Sequence, residues 1–208
     1  MDRRYWESYY ALQHPSEQPS DFARFCADRY KTGHGTIFDI GCGNARDTLF
    51  FSSRSIPCIG IDQCSIAISV NEAKKTKLGL SAMFCLSDFC ACDYDTLSSG
   101  GYSIYSRFTL HAIDYDEEKR LFDHLNNGKA LAYFFIEARS IRDGLYGQGE
   151  EVGRHEFVTS HYRRFIDPEG LRAKLESSFD IEYFVEAQGF AKTDTEDPCL
   201  IRVIARRR

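Results

Sequence analysis

The chain has 208 residues, 43% of them apolar, 27% charged and 14% aromatic, with 26 Lys plus Arg against 31 Asp plus Glu. That mixture excludes a disordered or low-complexity polymer. A formal charge of −5 argues against a protein that holds nucleic acid on a basic face. Surface scaling gives roughly 9,900 Å² exposed when folded against roughly 35,000 Å² unfolded, enough burial for one large core, so one domain over residues 1–208 is expected.

The opening MDRRYWESYYALQH is charged and aromatic, and no stretch of about 18 uninterrupted apolar residues follows, so a cytoplasmic protein without membrane contact is expected. The eight cysteines are Cys26, Cys42, Cys58, Cys64, Cys85, Cys90, Cys92 and Cys199. They form no C-x-x-C pair, and the tightest cluster has no histidine at zinc-finger spacing, so ordinary thiols and no metal are expected.

The chain begins with a helical pattern in which Tyr5 and Tyr9, and Trp6 and Tyr10, fall four residues apart. These aromatics suit either a lid over a ligand or simple packing. Next comes an alternation of strands and helices, the pattern of a parallel sheet. Strands are expected at 36–40, 56–61, 81–86, 102–105 and 130–137, mostly as short apolar runs without strict alternation, as when both sheet faces are covered. The clearest helix runs from Cys64 to Leu78, with Ile66, Val70 and Ala73 on one face, lysines near its end and Gly79 as its stop. Another starts at Asp167 as N-cap, with Pro168 at its first position. The last two strands, 181–187 and 199–206, flank a Gly- and Pro-containing loop and read as an antiparallel hairpin.

The richest stretch is TIFDIGCGNARD, in which a strand runs directly into Gly41-Cys42-Gly43 and then into a helix. The glycines permit a tight turn and close approach of a ligand, and the helix start offers free N–H groups to an anion. The third glycine of a dinucleotide motif is replaced by Arg46, which weakens a nicotinamide oxidoreductase reading. Asp62 lies 21 residues beyond Gly41 at the end of the next strand, a spacing suited to ribose hydroxyls, and Asp88 ends the third.

In these residues the chain resembles class I S-adenosylmethionine-dependent methyltransferases, whose D-x-G-x-G, acid and acid pattern is matched by Asp39-Ile40-Gly41-Cys42-Gly43, Asp62 and Asp88. The match spans residues 36–137. It implies an α/β Rossmann-like methyltransferase sandwich: a mostly parallel seven-stranded sheet, a C-terminal antiparallel hairpin and helices on both faces. It further implies S-adenosylmethionine as cofactor and S-adenosylhomocysteine as product, with Gly41 and Gly43 along the methionine part, Asp62 on the ribose, and Asp88 with the Phe89 backbone on adenine. Arg46, Gln63 and Ser106 would belong to the same cofactor set. Asp39 would meet the cofactor amine or hold the glycine loop. Residues 1–35 would then form a helical lid or packing segment, 36–137 the cofactor core, and 138–208 an acceptor-binding segment with the hairpin. The motif YSRFTLHAI and the Arg-rich tail also resemble small methyltransferases of bacterial capsular-polysaccharide clusters, some linked to O-methyl phosphoramidate decoration.

His111 and Arg107 follow the fourth strand, at the edge where a methyl acceptor would meet the sulfonium. His111 could act as general base near neutral pH or merely shape the pocket, and an already anionic acceptor oxygen would need no base. Arg139, Arg154, His155, His161, Tyr162 and Arg163, with Tyr9 from the first helix, are the candidate acceptor-binding residues, arginine being suited to phosphate or carboxylate. The expectation is methyl transfer to an oxygen of a small, anionic, phosphorylated or sugar-linked metabolite, by a monomer or homodimer. A noncatalytic cofactor-binding module and an N-methyltransferase remain alternatives at this level.

Overall fold

The computed structural model of the chain describes residues 3–12, 16–29 and 35–208. Within the N-terminal segment 1–35, positions 1, 2, 13–15 and 30–34 lie outside the described residues. The accessible surface is 10185 Å², close to the value that scaling gives for a well-packed chain of this mass.

Helix α1 (Arg3–Leu12) and α2 (Asp21–Ala27) precede the sheet. The alternating part comprises β1 (Thr36–Ile40), α3 (Arg46–Ser53), β2 (Cys58–Asp62), α4 (Ser65–Leu78), β3 (Met83–Leu86), α5 (Tyr94–Leu97), β4 (Tyr102–Arg107), α6 (Tyr115–Asn127) and β5 (Leu131–Arg139). Three short strands follow, β6 (Glu150–Gly153), β7 (Glu156–Val158) and β8 (Tyr162–Arg164), then α7 (Pro168–Glu176), β9 (Phe179–Ala187) and β10 (Leu200–Arg207). The main sheet has the order β3-β2-β1-β4-β5-β10-β9. Its first five strands pair in parallel, and β10 runs antiparallel to both β5 and β9. This is the doubly wound, mostly parallel sheet with a terminal hairpin that the sequence predicts. Strand order reverses between β1 and β4, and ligands of open α/β sheets bind in the crevice at such a point.

Burial explains the unbroken apolar runs. Phe38, Ile40, Ile104, Phe134, Ile136 and Val203 pack in a cluster on one face, while Ile37, Phe51, Tyr105, Phe135 and Ile204 pack in another with Phe22 of α2. Helix ends follow local chemistry. Asp167 caps α7 ahead of Pro168, and Asp114 and Glu117 form a reciprocal capping box on α6. Gly79 ends α4 in the left-handed region at φ 64°.

Two expectations need correction. Ile66, Val70 and Ala73 of α4 face outward, and the buried positions are Ala67 and Asn71. A polar residue takes the inward face because Asn71 Nδ2 donates to the Gly43 carbonyl (2.8 Å), a backbone group that the glycine turn leaves without a ladder partner. The sequence reading also missed β6, β7 and β8, which form a separate antiparallel sheet across segment 150–164. These strands are three or four residues long and charged, so they carry little periodic signal.

Among the described residues no helix is long and apolar enough to cross a membrane, and no group of three or more metal-ligating side chains occurs. All eight cysteines are free thiols. The C-terminal arginines are tied down: Arg206 and Arg208 pair with Asp180, Arg206 also with Glu182, and Arg207 donates to the Ser178 and Asn126 carbonyls.

Candidate active site

A cavity of about 430 Å³ opens at the carboxyl ends of β1, β2 and β4. Its floor is the glycine turn. Gly41 and Gly43 have φ of 65° and 53°, a region that L side chains avoid. A Cβ on Gly41 would sit 3.1 Å from Thr109, whose hydroxyl donates to the Ile40 carbonyl (2.7 Å). The turn therefore has little room for a side chain and presents bare backbone to the cavity.

Four carboxylates line this space, Asp39, Asp47 and Asp62 at the turn and Glu196 at the far end. Asp62 accepts from the Gly43 N–H (2.9 Å) and the Cys64 N–H (2.8 Å), which fixes its carboxylate beside the turn. Burial raises its pKa, with those N–H groups opposing the shift. Asp47 accepts from the Ser20 N–H and hydroxyl (both 2.7 Å) and from the Tyr105 hydroxyl (2.8 Å), locking α2, α3 and β4 together. Among the described residues Asp39 takes one hydrogen bond, from Thr48 Oγ1 (2.6 Å). Burial first, then the negative charge of Asp47, pushes its pKa up to about 8. Near neutrality this burial favours the protonated carboxyl.

Arg46, the first residue of α3, also lines the cavity and has no hydrogen-bond or ion-pair partner among the described residues. Trp6, Tyr9 and Tyr10 of α1 also line it. The Tyr10 hydroxyl sits 2.1 Å from where a Gly43 Cβ would be, so the ring lies directly over the turn. Burial and the neighbouring Asp62 charge hold the Tyr10 phenol in its neutral form. The aromatic helix is also pinned outward, since the His161 ring stacks on Tyr5 at 4.3 Å and meets Trp6 edge-on at 5.6 Å.

At the other end the cavity is walled by Arg107, Phe108, Thr109 and Ala112, and by Ala191, Thr193 and Glu196 from the β9–β10 loop. Sheet register places Arg107 of β4 beside Glu137 of β5, and Glu137 beside Arg202 of β10. Residues in register share a face, so the three form a charged row: Arg107 Nε lies 3.0 Å from Glu137, and Arg202 Nε lies 2.5 Å from its other oxygen. The terminal nitrogens of Arg107 have no partner among the described residues. Phe108 lies under this guanidinium, 4.1 Å from its centroid, and adopts φ 59°. A bulky residue held in that region is strained, and such strain concentrates at ligand sites.

The sequence-derived site divides accordingly. Asp39, Gly41, Gly43, Arg46, Asp62, Phe89, Arg107 and Tyr9 line the cavity. Asp88 does not; it accepts from the Cys90 N–H (2.9 Å) in a turn that carries Phe89 to the wall. Gln63, half-buried, is also off the lining. Ser106 is fully buried with its hydroxyl unpaired, so it stands behind the wall.

His111 stands apart from the cavity lining. It lies on the 3-10 turn Leu110–Ala112, 8% exposed, off the cavity lining, with Nδ1 buried and unpaired. Burial first, then Arg139, Arg163, His161 and Arg107, lower its pKa well below the usual histidine value. A ring so surrounded resists taking a proton. It packs against Phe108, with ring centroids 5.2 Å apart.

The expected acceptor arginines are dispersed. Arg139 is buried in ion pairs with Asp143 (3.0 Å) and Glu196 (2.7 Å). Arg154 and His155 line a separate cavity of about 210 Å³ beside α6 and α7, and Arg163 lines a third of about 260 Å³ while donating to Thr159. The Tyr162 hydroxyl points at the Ile113 carbonyl (3.5 Å). These residues share a sequence segment, but successive side chains of a strand point to opposite faces, so β8 and its turn send them apart. Conversely, Trp6 and Tyr10 were visible only as an aromatic pattern. Asn71, Phe108 and Glu196 gave no local signal, because each acquires meaning from what the fold sets against it.

No protein-family profile matches the chain, and no curated protein matches it either. Solved structures do. It is similar to an S-adenosylmethionine-dependent methyltransferase from Methanosarcina mazei (TM-score 0.72, 19% identity, 88% of this chain and 96% of that one). It is also similar to the magnesium protoporphyrin IX methyltransferase of Synechocystis with bound S-adenosylmethionine (TM-score 0.63, 14% identity, 90% and 76%). A third is a glycopeptide N-methyltransferase complexed with the same cofactor (TM-score 0.63, 15% identity, 91% and 95%). The chain therefore has the fold of S-adenosylmethionine-dependent methyltransferases.

Proposed function

We propose that the protein transfers a methyl group from S-adenosylmethionine to an oxygen of a small anionic metabolite. The observation that carries this reading is the single cavity in which a bare glycine turn and the carboxylates of Asp39 and Asp62 lead to the unpaired end of Arg107. The cofactor fits the chemistry of that donor set. Its ammonium suits Asp39, its carboxylate suits Arg46 at the start of α3, and its ribose diol suits Asp62. The bound cofactor supplies an activated methyl on sulfur. The residues orient it, and Trp6, Tyr9 and Tyr10 exclude water.

Transfer then requires the acceptor oxygen in line with the methyl carbon and sulfur, so alignment does much of the work. Arg107, held by Glu137, presents two free N–H edges to a phosphate- or carboxylate-type group. The burial of His111 supports an acceptor whose oxygen is already anionic, because such a nucleophile needs no base. Phosphorylated or sugar-linked metabolites, including those of capsular polysaccharide modification, belong to this class.

The test is calorimetry with S-adenosylhomocysteine, followed by mass spectrometry of products from S-adenosylmethionine with phosphorylated and sugar metabolites. One cofactor site per chain and a methylated anion are expected. Arg107→Gln should reduce acceptor turnover about 10- to 100-fold, the worth of a charged hydrogen bond, while changing cofactor affinity less than threefold. Absence of cofactor binding, or equal loss of both affinities, would refute the proposal.

A further inference from the structure

The β9–β10 loop brings a carboxylate to the acceptor end of the cavity. Glu196 lines that wall, and its side chain is 43% exposed. One oxygen, Oε2, is held by Arg139 Nη2 (2.7 Å), and Arg139 is itself held by both oxygens of Asp143 (3.0 and 3.1 Å). The other oxygen has no partner among the described residues. The backbone is equally fixed: the Glu196 N–H donates to Thr193 Oγ1 (3.1 Å) and its carbonyl accepts from the Thr193 N–H (2.8 Å). A second anchor ties the loop to the charged row, since Arg202 Nη2 donates to the Phe190 carbonyl (3.0 Å).

Glu196 and Arg107 line the same cavity and are linked through Arg139 and the Phe108 ring. The Arg107 guanidinium lies 4.1 Å from the Phe108 centroid, that of Arg139 lies 5.9 Å from it, and Glu196 sits on Arg139. The same wall therefore offers a guanidinium edge without a partner and a carboxylate oxygen without a partner. A simple anion satisfies only the first and is repelled by the second. A molecule that carries hydroxyl donors beside its anionic group satisfies both, because a hydroxyl donates to Glu196 while the anion accepts from Arg107. Orientation by Arg139 makes this a directed acceptor and not a freely rotating surface charge.

We propose that Glu196 is an acceptor-binding residue that selects polyhydroxylated anions, of the sugar phosphate type, over anions with plain alkyl chains. This rests on the reading of the cavity as a cofactor and anion site.

The experiment uses the full chain saturated with S-adenosylhomocysteine and measures binding of glucose 6-phosphate and hexyl phosphate by calorimetry. Both probes are six-carbon phosphate monoesters, and glucose 6-phosphate alone carries hydroxyls on a sugar ring. The wild type should bind glucose 6-phosphate at least tenfold more tightly. Glu196→Ala should abolish that preference by weakening the sugar phosphate and leaving or improving hexyl phosphate. Glu196→Gln retains a hydrogen bond to Arg139 and should keep the wild-type melting temperature while losing most of the preference. Equal affinity for the two probes in the wild type, an unchanged preference in both variants, or no binding of either phosphate would overturn the proposal. In each case retained S-adenosylhomocysteine binding would leave the cofactor reading standing, and its loss would bring down that reading separately.

Discussion

Asp39 gives the sharpest quantitative test of the cofactor reading. Its carboxyl is buried, faces Asp47 and Asp62, and has its pKa pushed up to about 8. At pH 7 only about one tenth of the free protein would then carry the ionised form. Binding a cofactor ammonium favours ionisation, so the proton must leave as the cofactor arrives. If the bound-state pKa falls below about 6, binding at pH 7 releases roughly 0.9 proton, and affinity rises nearly tenfold per pH unit from 6 to about 8 before flattening. The assay is isothermal titration with S-adenosylhomocysteine in buffers of different ionisation enthalpy, which separates proton release from intrinsic heat. Asp39→Asn should abolish the release and the slope, and bind more weakly than wild type above pH 8. Stability supplies an independent check. A carboxyl whose pKa is higher folded than unfolded stabilises the fold fully below about pH 4 and loses that contribution as pH rises through about 8. The cofactor-free protein should therefore melt at lower temperature at pH 8.5 than at pH 6, and Asp39→Asn should lessen the fall. Wild-type binding without proton uptake or release at pH 7, or an Asp39→Asn variant that keeps the slope, would refute the assignment.

Two further outcomes follow from the same geometry. Trp6 is the single tryptophan of the chain and lines the cavity, so S-adenosylhomocysteine should change its fluorescence saturably, with the same midpoint as calorimetry. A constant spectrum during binding would remove α1 from the site. Asn71→Leu leaves the Gly43 carbonyl without its side-chain donor, a loss of about 1–3 kcal/mol, and should weaken cofactor binding about 5- to 100-fold while circular dichroism shows α4 intact. Unchanged affinity would mean that the turn holds its shape without Asn71.

Local sequence pattern was enough to read the sheet and the cavity at the ends of its strands. Apolar runs such as TIFDI and CIGID become parallel strands because only sheets covered on both faces bury such runs, and paired glycines after a strand leave few backbone alternatives. That reasoning located Asp39, Gly41, Gly43 and Asp62, whose roles depend on neighbours close along the chain or one strand away. Tertiary structure decided the rest. The Arg154–Arg163 segment is one charged string in sequence, yet β7 and β8 distribute it over separate cavities. His111 followed the right strand and still lies off the cavity lining, buried on a 3-10 turn. Arg107 and Glu196 lie 89 positions apart, and the pairing of β5 with β10 brings them to one cavity. Strand formation depends on local side-chain pattern, whereas acceptor recognition depends on which distant side chains the register and loops set face to face.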